Sequence, residues 1–374
     1  MVEKIKIMTI FGTRPEAIKM APVIKVLKKD PLTDLCICVT AQHREMLDQV
    51  LDKFNLVPDY DLDIMEENQS LSKITSKILL GLEEILKKER PNMILVHGDT
   101  TTTLSATLSA FYNGIDIGHV EAGLRSGDLY SPYPEEANRA LTGRLANLHF
   151  SPTEGNIRNL INENIDKSKI VRTGNTVIDV LLSVVKTDYV FEDKILNNID
   201  YKNKKVVLLT THRRENLGAP MESIFKATKK LVELNEDVEL IFPMHLNPKI
   251  RLLARKYLSG NDRIHLIEPL DYEPFANLMS KSYLILTDSG GIQEEAPALG
   301  KPVLVLRTET ERPEALEANT VKMVGIIEDE IFKEADKLIN NKDAYQKMSN
   351  AINPYGDGTA SEKIVNAIKE YYNV

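Results

Sequence analysis

The fold is decided by residues 93–121, MILVHGDTTTTLSATLSAFYNGIDIGHVE. The two apolar runs Met93–Val96 and Ile115–Val120 suit buried strands, and the run of small residues between them suits a helix. A strand, a helix and a second strand in this order form a parallel pair. The first strand is followed by Asp99 and the second by Glu121, so both acids are expected at the carboxyl edge of a parallel sheet, where α/β proteins bind ligands.

A third acid, Glu135, precedes another helical segment. Three acids near His97, with no cysteine beside them, indicate proton chemistry, which requires positioned carboxylates. The alternative is structural: the acids would cap helices and pair with Arg125 and Arg139, because a single acid at a helix start is more often a cap. The grouping of three favours a site.

Strand and helix patterns alternate along the whole chain, which predicts parallel sheets covered by helices on both faces. The first series of strands is predicted at 5–11, 35–40, 93–96, 117–120 and 149–151. After a polar passage, a second series is predicted at 206–210, 238–242, 264–267, 284–286 and 302–306. We therefore predict two α/β domains, residues 1–173 with 359–374, and residues 174–358.

Composition excludes several classes of function. The chain has 374 residues, 43% hydrophobic and 27% charged, and its net charge of −8 gives no basic surface for nucleic acid. The two cysteines, Cys36 and Cys38, have a spacing unlike zinc or redox motifs, so we interpret them as small core residues. With no signal peptide and no apolar run of membrane-spanning length, we expect a cytoplasmic protein without a metal site.

Two strand-end turns have features of anion sites. The turn Gly12–Glu16 combines a glycine, a proline suited to a first helical turn, and N–H groups at a helix start. Arg14 adds a planar donor fork and Lys19 a second cation, although a tight turn with a solvated arginine is an equal alternative.

In the second half of the chain, His212 lies beside Arg213 and Arg214, where a charged imidazole would stabilise a leaving diphosphate. The alternative is a histidine bonded to a backbone group.

The strongest anion element is the segment Asp288–Ala296. Its residues Ser289, Gly290 and Gly291 are expected to present bare backbone N–H groups at a helix N-terminus. Glu295, one turn further, suits two ribose hydroxyls. After the next strand, Arg312 is expected to reach sugar or phosphate. Phe275 either flanks a base or fills the core, and the core is the preferred interpretation.

With these segments assembled, the chain resembles, from end to end, the non-hydrolysing UDP-N-acetylglucosamine 2-epimerases. The matching motifs of the first half are FGTRPEAIKM (11–20), AQHREML (41–47), HGDTTT (97–102), GHVEAGLR (118–125), PEEANR (134–139) and GNT (174–176). Those of the second half are HRRE (212–215), HLNP (245–248), DSGGIQEE (288–295) and ERPE (311–314). One motif alone is weak, whereas the set is highly specific.

The resemblance implies a glycosyltransferase-B-like fold of two Rossmann-like domains, with the active site in the cleft between them, and a homodimer. It implies reversible conversion of UDP-N-acetylglucosamine (UDP-GlcNAc) into UDP-N-acetylmannosamine (UDP-ManNAc). Family members eliminate UDP across C1–C2, hold a 2-acetamidoglucal, and re-add UDP after protonation on the other face. They need no nicotinamide and no metal.

The resemblance also assigns roles to residues. Asp99, Glu121 and Glu135 in the first domain would carry the acid–base chemistry, while the sequence does not say which carboxylate handles which proton. His212 would assist the UDP group. The residues expected to bind the UDP-sugar are Arg14, Lys19, Arg139, Phe275, Ser289, Gly290, Gly291, Glu295 and Arg312.

Many bacterial family members bind a second UDP-GlcNAc as an activator, and Gln42, Arg213 and His245 match residues expected to line that site. Glu45 and Asn68 stand where some bacterial members carry Gln and Arg. Because losing a cation weakens a diphosphate contact, the sequence leaves open whether activation is retained.

Three other functions fit parts of the sequence. A hydrolysing epimerase would release free N-acetylmannosamine. A glycosyltransferase would pass the sugar to an acceptor, although acceptor activation usually needs one base, not three. A nucleotide-sugar sensor would have lost some of the acids or His212, yet all are present.

Overall fold

The computed structural model describes residues 4–42, 44–66 and 69–374 of the chain. The chain divides into two compact units, Met1–Val180 with Tyr355–Val374, and Leu181–Pro354. Each unit is built around its own parallel sheet.

Thirteen strands lie in the described residues. In chain order they are β1 (Ile5–Phe11), β2 (Thr33–Val39), β3 (Tyr60–Asp61), β4 (Met93–His97), β5 (Asp116–Val120), β6 (Leu148–Ser151), β7 (Ile170–Arg172), β8 (Lys205–Thr210), β9 (Val238–Pro243), β10 (Ile264–Ile267), β11 (Leu284–Thr287), β12 (Val303–Val305) and β13 (Val321–Met323).

Helices alternate with these strands. In chain order they are α1 (Arg14–Lys29), α2 (Arg44–Phe54), α3 (Leu71–Glu89), α4 (Thr101–Tyr112), α5 (Glu135–Leu145), α6 (Glu154–Asn162), α7 (Thr176–Val184), α8 (Lys194–Asn198), α9 (Ala219–Leu234), α10 (Pro248–Leu258), α11 (Tyr272–Lys281), α12 (Gly290–Ala298), α13 (Pro313–Glu317), α14 (Glu328–Asn340), α15 (Lys342–Ser349) and α16 (Ala360–Tyr371).

The first sheet has the strand order β3-β2-β1-β4-β5-β6-β7, and the second has the order β10-β9-β8-β11-β12-β13. Neighbouring strands in both sheets pair in parallel. Because parallel neighbours need crossover connections, helices cover both faces of such sheets. The predicted α/β class is confirmed.

The sequence prediction missed the three strands β3, β7 and β13. All three are edge strands of two or three residues. An edge strand pairs on one side only and is often short, so it lacks the continuous apolar run that marks a buried strand.

Strand β1 supplies side chains to two separate cores. Phe11 packs in the cluster that includes Ile24 of α1 and Ile364 of α16. Ile10 packs in the opposite cluster, which includes Leu82 of α3. This is the two-residue alternation of a strand buried on both faces. The packing of α16 on the first face shows that the end of the chain completes the first unit.

The second sheet is covered in the same manner. Leu209 of β8, Phe225 of α9, Phe242 of β9 and Leu286 of β11 lie in one buried cluster. The two phenylalanine rings are tilted against each other, with centroids 5.5 Å apart. Such a core gives the strand-end turns of this unit a rigid base.

The sheet orders determine which turns become neighbours. β1, β4 and β5 are consecutive in the first sheet, so Gly12, Asp99 and Glu121 all follow strands that end at one edge. In the second sheet β8 lies beside β11, which brings Thr211 and Asp288 to its carboxyl edge. These are the sheet edges at which α/β proteins bind ligands.

The turn after β5 depends on Gly123. This residue has a φ of +94°, and a Cβ added to it would lie 2.4 Å from the carbonyl oxygen of Asn156. Its own carbonyl accepts a hydrogen bond from Asn159 Nδ2 at 2.9 Å. The close approach seats this turn on the start of α6.

We expect Gly123→Ala to lower the free energy of unfolding by roughly 2–4 kcal/mol, because left-handed strain and overpacking act together. Gly127→Ala is the matched control: Gly127 has a φ of +83°, but no described heavy atom lies within 4 Å of its added Cβ. The control should lose roughly 1–2 kcal/mol from strain alone. Urea unfolding of both variants measures the difference, and equal losses would refute the contact with Asn156.

Candidate functional site

Glu16 joins two strand-end turns of the first unit. Its carboxylate is buried. Oε2 accepts the N–H groups of Gly12 and Thr13 at 3.0 and 2.8 Å, and the Thr13 hydroxyl at 2.8 Å. Oε1 accepts the hydroxyl of Thr100 at 2.7 Å. The turn after β1 is thereby bound to the residue that caps α4 and directly follows Asp99.

The N–H groups of Gly12 and Thr13, which precede α1, both donate to Glu16. An anion at this turn would therefore compete with Glu16 for these two groups. The glycine is needed for a different reason: a Cβ added to Gly12 would lie 2.0 Å from Thr40 Oγ1 and 2.6 Å from Thr102 Oγ1. Thr102 also donates to Gln42 Oε1 at 3.1 Å, which ties Gln42 to the same turn.

Glu121 is an ion-paired carboxylate at the end of β5. Its φ of +62° lies in the left-handed region, which costs a non-glycine residue roughly 1–2 kcal/mol. Oε2 lies 2.5 Å from Lys19 Nζ and 3.0 Å from His97 Nε2. Burial raises the pKa of Glu121, but the charges and hydrogen bonds of Lys19 and His97 outweigh burial and hold the pKa well below its ordinary value. Glu121 is therefore a persistent anion.

Asp99 has the opposite electrostatic setting. Its Oδ2 accepts a hydrogen bond from Arg139 Nη2 at 2.5 Å, and its backbone carbonyl accepts one from Asn138 Nδ2 at 2.9 Å. Burial raises the pKa of Asp99; the Arg139 charge opposes this rise and the charge of Glu121 adds to it. Two nearby carboxylates whose pKa values move apart can hold different protonation states at one pH.

Glu135 and Glu136 begin α5 and point in different directions. Glu135 is half-buried, and within the described residues no protein group donates to its carboxylate. Glu136 is buried and accepts the N–H groups of Ser126 and Gly127 at 3.0 and 3.2 Å. The sequence analysis missed this role of Glu136. It could have been inferred, because two successive residues of a helix face different directions, so only one of the two acids could point to a ligand.

The structural alternative for the three acids holds in part. Arg139 is buried and bridges Asp99 and Glu136, the latter at 3.2 Å, so this arginine positions a carboxylate. Arg125 instead forms a two-point pair with Glu163, at 2.6 and 2.8 Å, so the expected pairing of Arg125 with one of the three acids is wrong.

Asp288 organises the strand-end turns of the second unit. Its buried Oδ2 accepts the hydroxyl of Thr211 at 2.8 Å, the N–H groups of His212 and Arg213 at 3.0 Å each, and Asn216 Nδ2 at 3.0 Å. Burial raises the pKa of Asp288, but hydrogen bonds from His212 and from the Arg213 N–H outweigh it, so the pKa is lowered. The sequence analysis quoted Asp288 in a motif and missed this function.

The ring of His212 contacts a carboxylate, not the backbone group that the structural alternative expected. Its Nδ1 lies 3.2 Å from Asp288 Oδ1. The ring stacks on His245, with centroids 6.0 Å apart and planes inclined by 20°. Both imidazoles line a cavity of about 280 Å³, whose other lining residues are Thr210, Thr211, Pro243, Leu246, Pro269, Leu270 and Phe275.

Phe275 forms part of this cavity wall and is half-buried. It is not among the buried residues of the described hydrophobic cores. The preferred interpretation of Phe275 as a core residue is therefore wrong. An apolar wall facing two imidazoles suits a flat heteroaromatic group.

The glycine-rich turn before α12 retains part of its expected anion site. The N–H of Ser289 donates to Thr287 Oγ1 at 2.9 Å, so the expected bare amide is wrong for Ser289. For Gly290 and Gly291, the described part of the chain offers no acceptor to the N–H groups at the start of α12. An anion can bind such helix N-termini.

Three further residues expected to bind the UDP-sugar or the activator have protein partners. Glu295 Oε2 accepts the hydroxyl of Tyr272 at 3.0 Å. Arg312 forms an ion pair with the buried Glu294. Arg213 Nε donates to the carbonyl of Asp288 at 2.9 Å. These contacts hold each side chain in one orientation.

The remaining expectations vary in how far the structure describes them. Arg14 is the first residue of α1 and is half-buried. Asn68 and the side chain of Glu45, on which the activator argument depends, lie outside the described residues.

Neither a metal cluster nor a membrane helix is found in residues 4–42, 44–66 and 69–374. No group of three or more His, Cys, Asp or Glu side chains there could hold a metal ion. No helix is long and apolar enough to cross a bilayer. Cys36 and Cys38 are buried free thiols, as the sequence predicted.

Known proteins resemble this chain over nearly its whole length. A family model described as UDP-N-acetylglucosamine 2-epimerase matches residues 25–369. The Bacillus subtilis UDP-N-acetylglucosamine 2-epimerase is 54% identical over 371 residues, 99% of this chain and 97% of that protein. The S. aureus MnaA–UDP co-structure is 55% identical with a TM-score of 0.82, covering 98% and 97% of the two chains. UDP-GlcNAc 2-epimerase from Neisseria meningitidis bound to UDP-GlcNAc is 50% identical with a TM-score of 0.84, covering 98% and 100%.

We expect Lys19→Met to lower the free energy of unfolding at pH 7 by ~3 kcal/mol, because it leaves Glu121 charged without its lysine partner. Ionised Glu121 stabilises the fold above its unfolded pKa of about 4.3, and this contribution is lost as the pH falls toward the lower folded pKa. The gap between the variant and the parent should therefore narrow below about pH 4.

Urea unfolding at pH 7 and at acidic pH measures both effects. The matched control is Lys25→Met, on the exposed side of the same helix, which should change stability by less than about 0.5 kcal/mol. A gap of the same size at both pH values would contradict the pairing with Glu121.

Proposed function

The chain belongs to the UDP-N-acetylglucosamine 2-epimerase family, and from this premise we propose that it interconverts UDP-GlcNAc and UDP-ManNAc by inverting C2 of the sugar. The observation that supports the proposal most is the opposite displacement of the pKa values of Asp99 and Glu121. Inversion at a carbon needs groups that take up and return a proton, and a carboxyl whose pKa is raised suits this role better than one whose pKa is lowered.

The proposed reaction is elimination followed by re-addition. A carboxylate removes the C2 proton, the electron pair forms the C1–C2 double bond, and the C1–oxygen bond to UDP breaks. The products, 2-acetamidoglucal and UDP, stay bound. A proton then returns to C2 on the opposite face, and a UDP oxygen re-forms the bond to C1. Nothing is oxidised or reduced overall, so no redox cofactor is required.

We assign the proton transfers at C2 to Asp99 and Glu135. The raised pKa of Asp99 suits a group that accepts and returns a proton. Glu135 has no protein donor in the described residues, so its carboxylate is available to a ligand on the other face. Glu121 remains ionised and holds Lys19 and His97 in place.

We assign UDP binding to the second unit. The N–H groups of Gly290 and Gly291 would bind phosphate, with His212 beside the leaving diphosphate. The cavity wall containing Phe275 would take the uracil, and Glu295 would accept from the ribose. Ser289, Arg14, Lys19, Arg139 and Arg312 stay predictions for the same ligand. Protein partners of Ser289, Lys19, Arg139 and Arg312 are described above.

Incubation with UDP-GlcNAc in deuterated water, followed by NMR, tests the proposal. We expect UDP-ManNAc carrying deuterium at C2, because the proton removed exchanges with solvent before its return. Asp99→Asn should lower the rate by roughly 10²–10⁴-fold, since a carboxamide cannot carry the proton. The matched control is Asp34→Asn, an exposed carboxylate on β2, which should keep the parent rate.

Other outcomes distinguish the alternatives. Free N-acetylmannosamine with UDP would indicate a hydrolysing enzyme. Binding without any change in the sugar would indicate a sensor or an acceptor-dependent transferase. UDP-ManNAc formed without deuterium at C2 would contradict proton loss at that carbon.

We also propose that the protein forms a homodimer through the helices α3, α4 and α5. Helix α4 contacts both α3 and α5. These three helices expose the large apolar side chains Leu80, Phe111, Tyr112 and Leu141. One patch used by both copies would give a closed two-fold dimer.

Phe111→Asp should shift the protein toward monomer in size-exclusion chromatography with light scattering, because it buries a charge in the apolar contact. The matched control is Val57→Asp, at a side chain that is 80% exposed elsewhere in the unit. A dimer that survives Phe111→Asp would exclude this interface.

Activation by a second UDP-GlcNAc through Gln42, Arg213 and His245 stays a prediction. It is checked by measuring whether turnover of UDP-ManNAc requires added UDP-GlcNAc.

A further inference from the structure

Asp288 contacts the imidazole ring of His212 from the buried side, within the second unit. The carboxylate is fully buried, whereas 45% of the His212 side chain is exposed. One edge of the imidazole, at Nδ1, lies 3.2 Å from Asp288 Oδ1, and the ring lines the cavity of its own unit. The histidine thus has a buried anion on one side and a ligand-accessible surface on the other.

The two carboxylate oxygens of Asp288 have different hydrogen-bond partners. Oδ2 accepts from Thr211, from the N–H groups of His212 and Arg213, and from Asn216. Oδ1 is approached by the His212 N–H at 3.2 Å and by the ring Nδ1. An ionised carboxylate offers lone pairs and no proton. A lone pair on Nδ1 would repel Oδ1, so only a ring that carries its proton on Nδ1 suits this contact.

We propose that Asp288 is a positioning residue for His212: it fixes the ring orientation and the tautomer with the proton on Nδ1, which leaves Nε2 for the leaving diphosphate. The proposal rests on the function proposed above, which assigns His212 to that group. When Nε2 takes up a proton, the buried anion stabilises the imidazolium while negative charge develops on UDP. Other charged or titratable groups around this pair include Arg213, Glu215, His245 and Arg307, and no contact of theirs with Nδ1 is found in the described residues.

Asp288→Asn tests the proposal with little change in shape. The four donors at Oδ2 require an oxygen, so the amide NH₂ must occupy the position of Oδ1. It would then donate to Nδ1 and force the proton onto Nε2. We expect kcat to fall by ~10²-fold or more while KM changes little, because a neutral amide no longer stabilises an imidazolium beside the leaving group.

Nitrogen-15 NMR of His212 reads the tautomer directly, at a pH where the ring is neutral. In the parent protein we expect the proton on Nδ1, and in Asp288→Asn on Nε2. Asn216→Ala is the matched control: it removes one donor from the same carboxylate and leaves the Nδ1 contact. It should lower stability yet keep the parent tautomer and kcat.

Several results would overturn the proposal. One is a parent protein whose neutral His212 carries its proton on Nε2, which is decisive even if Asp288→Asn fails to fold. Others are an Asp288→Asn variant with the parent kcat, or an Asn216→Ala variant that loses kcat equally. The tautomer does not depend on turnover, so a parent protein with the Nδ1 proton but no epimerisation would reject the proposed function and retain the pairing.

Discussion

In each unit, one buried carboxylate holds the strand-end turns together. Glu16 collects the N–H groups of Gly12 and Thr13 and the hydroxyl of Thr100, and Asp288 collects the N–H groups of His212 and Arg213. A buried charge and buried unpaired N–H groups are each costly, but together they satisfy one another. The side chains to which we assign chemistry therefore extend from backbone that these hydrogen bonds hold in place. Asp99 directly precedes Thr100, whose hydroxyl donates to Glu16. His212 donates its own N–H to Asp288.

This arrangement gives two carboxylates of one sheet edge different proton affinities. Glu121 has two cationic partners, and they keep it ionised despite its burial. Asp99 shares Arg139 with Glu136, and it also experiences the negative charge of Glu121. The persistent anion thus raises the proton affinity of its neighbour. The left-handed backbone at Glu121 is consistent with a position selected for chemistry at some cost in stability.

The sequence predicted the features that depend on local pattern. The central strands were found because their apolar runs are continuous, and Asp99 and Glu121 were found because they directly follow such runs. The edge strands β3 and β7 were missed because pairing on one side needs no such run. Glu16 and Asp288 were missed as organisers because Thr100, a partner of Glu16, is 84 residues away in the chain, and the partners of Asp288 are 72 to 77 residues away. The amide of Ser289 was misjudged for a local reason: its acceptor, Thr287 Oγ1, lies only two residues away, and the sequence does not show that this hydroxyl turns toward the amide.

The partners of the cationic residues indicate how an anion could be bound. Lys19, Arg139 and Arg312 each pair with a carboxylate, so these cations are oriented but largely neutralised. A diphosphate that relied on them would have to compete with those carboxylates. The N–H groups of Gly290 and Gly291 face no such competitor within the described residues, and a helix N-terminus carries a partial positive charge. The phosphate site that we propose in the second unit should therefore depend on these backbone groups more than on arginine or lysine, and the small side chains at the start of α12 leave these groups accessible.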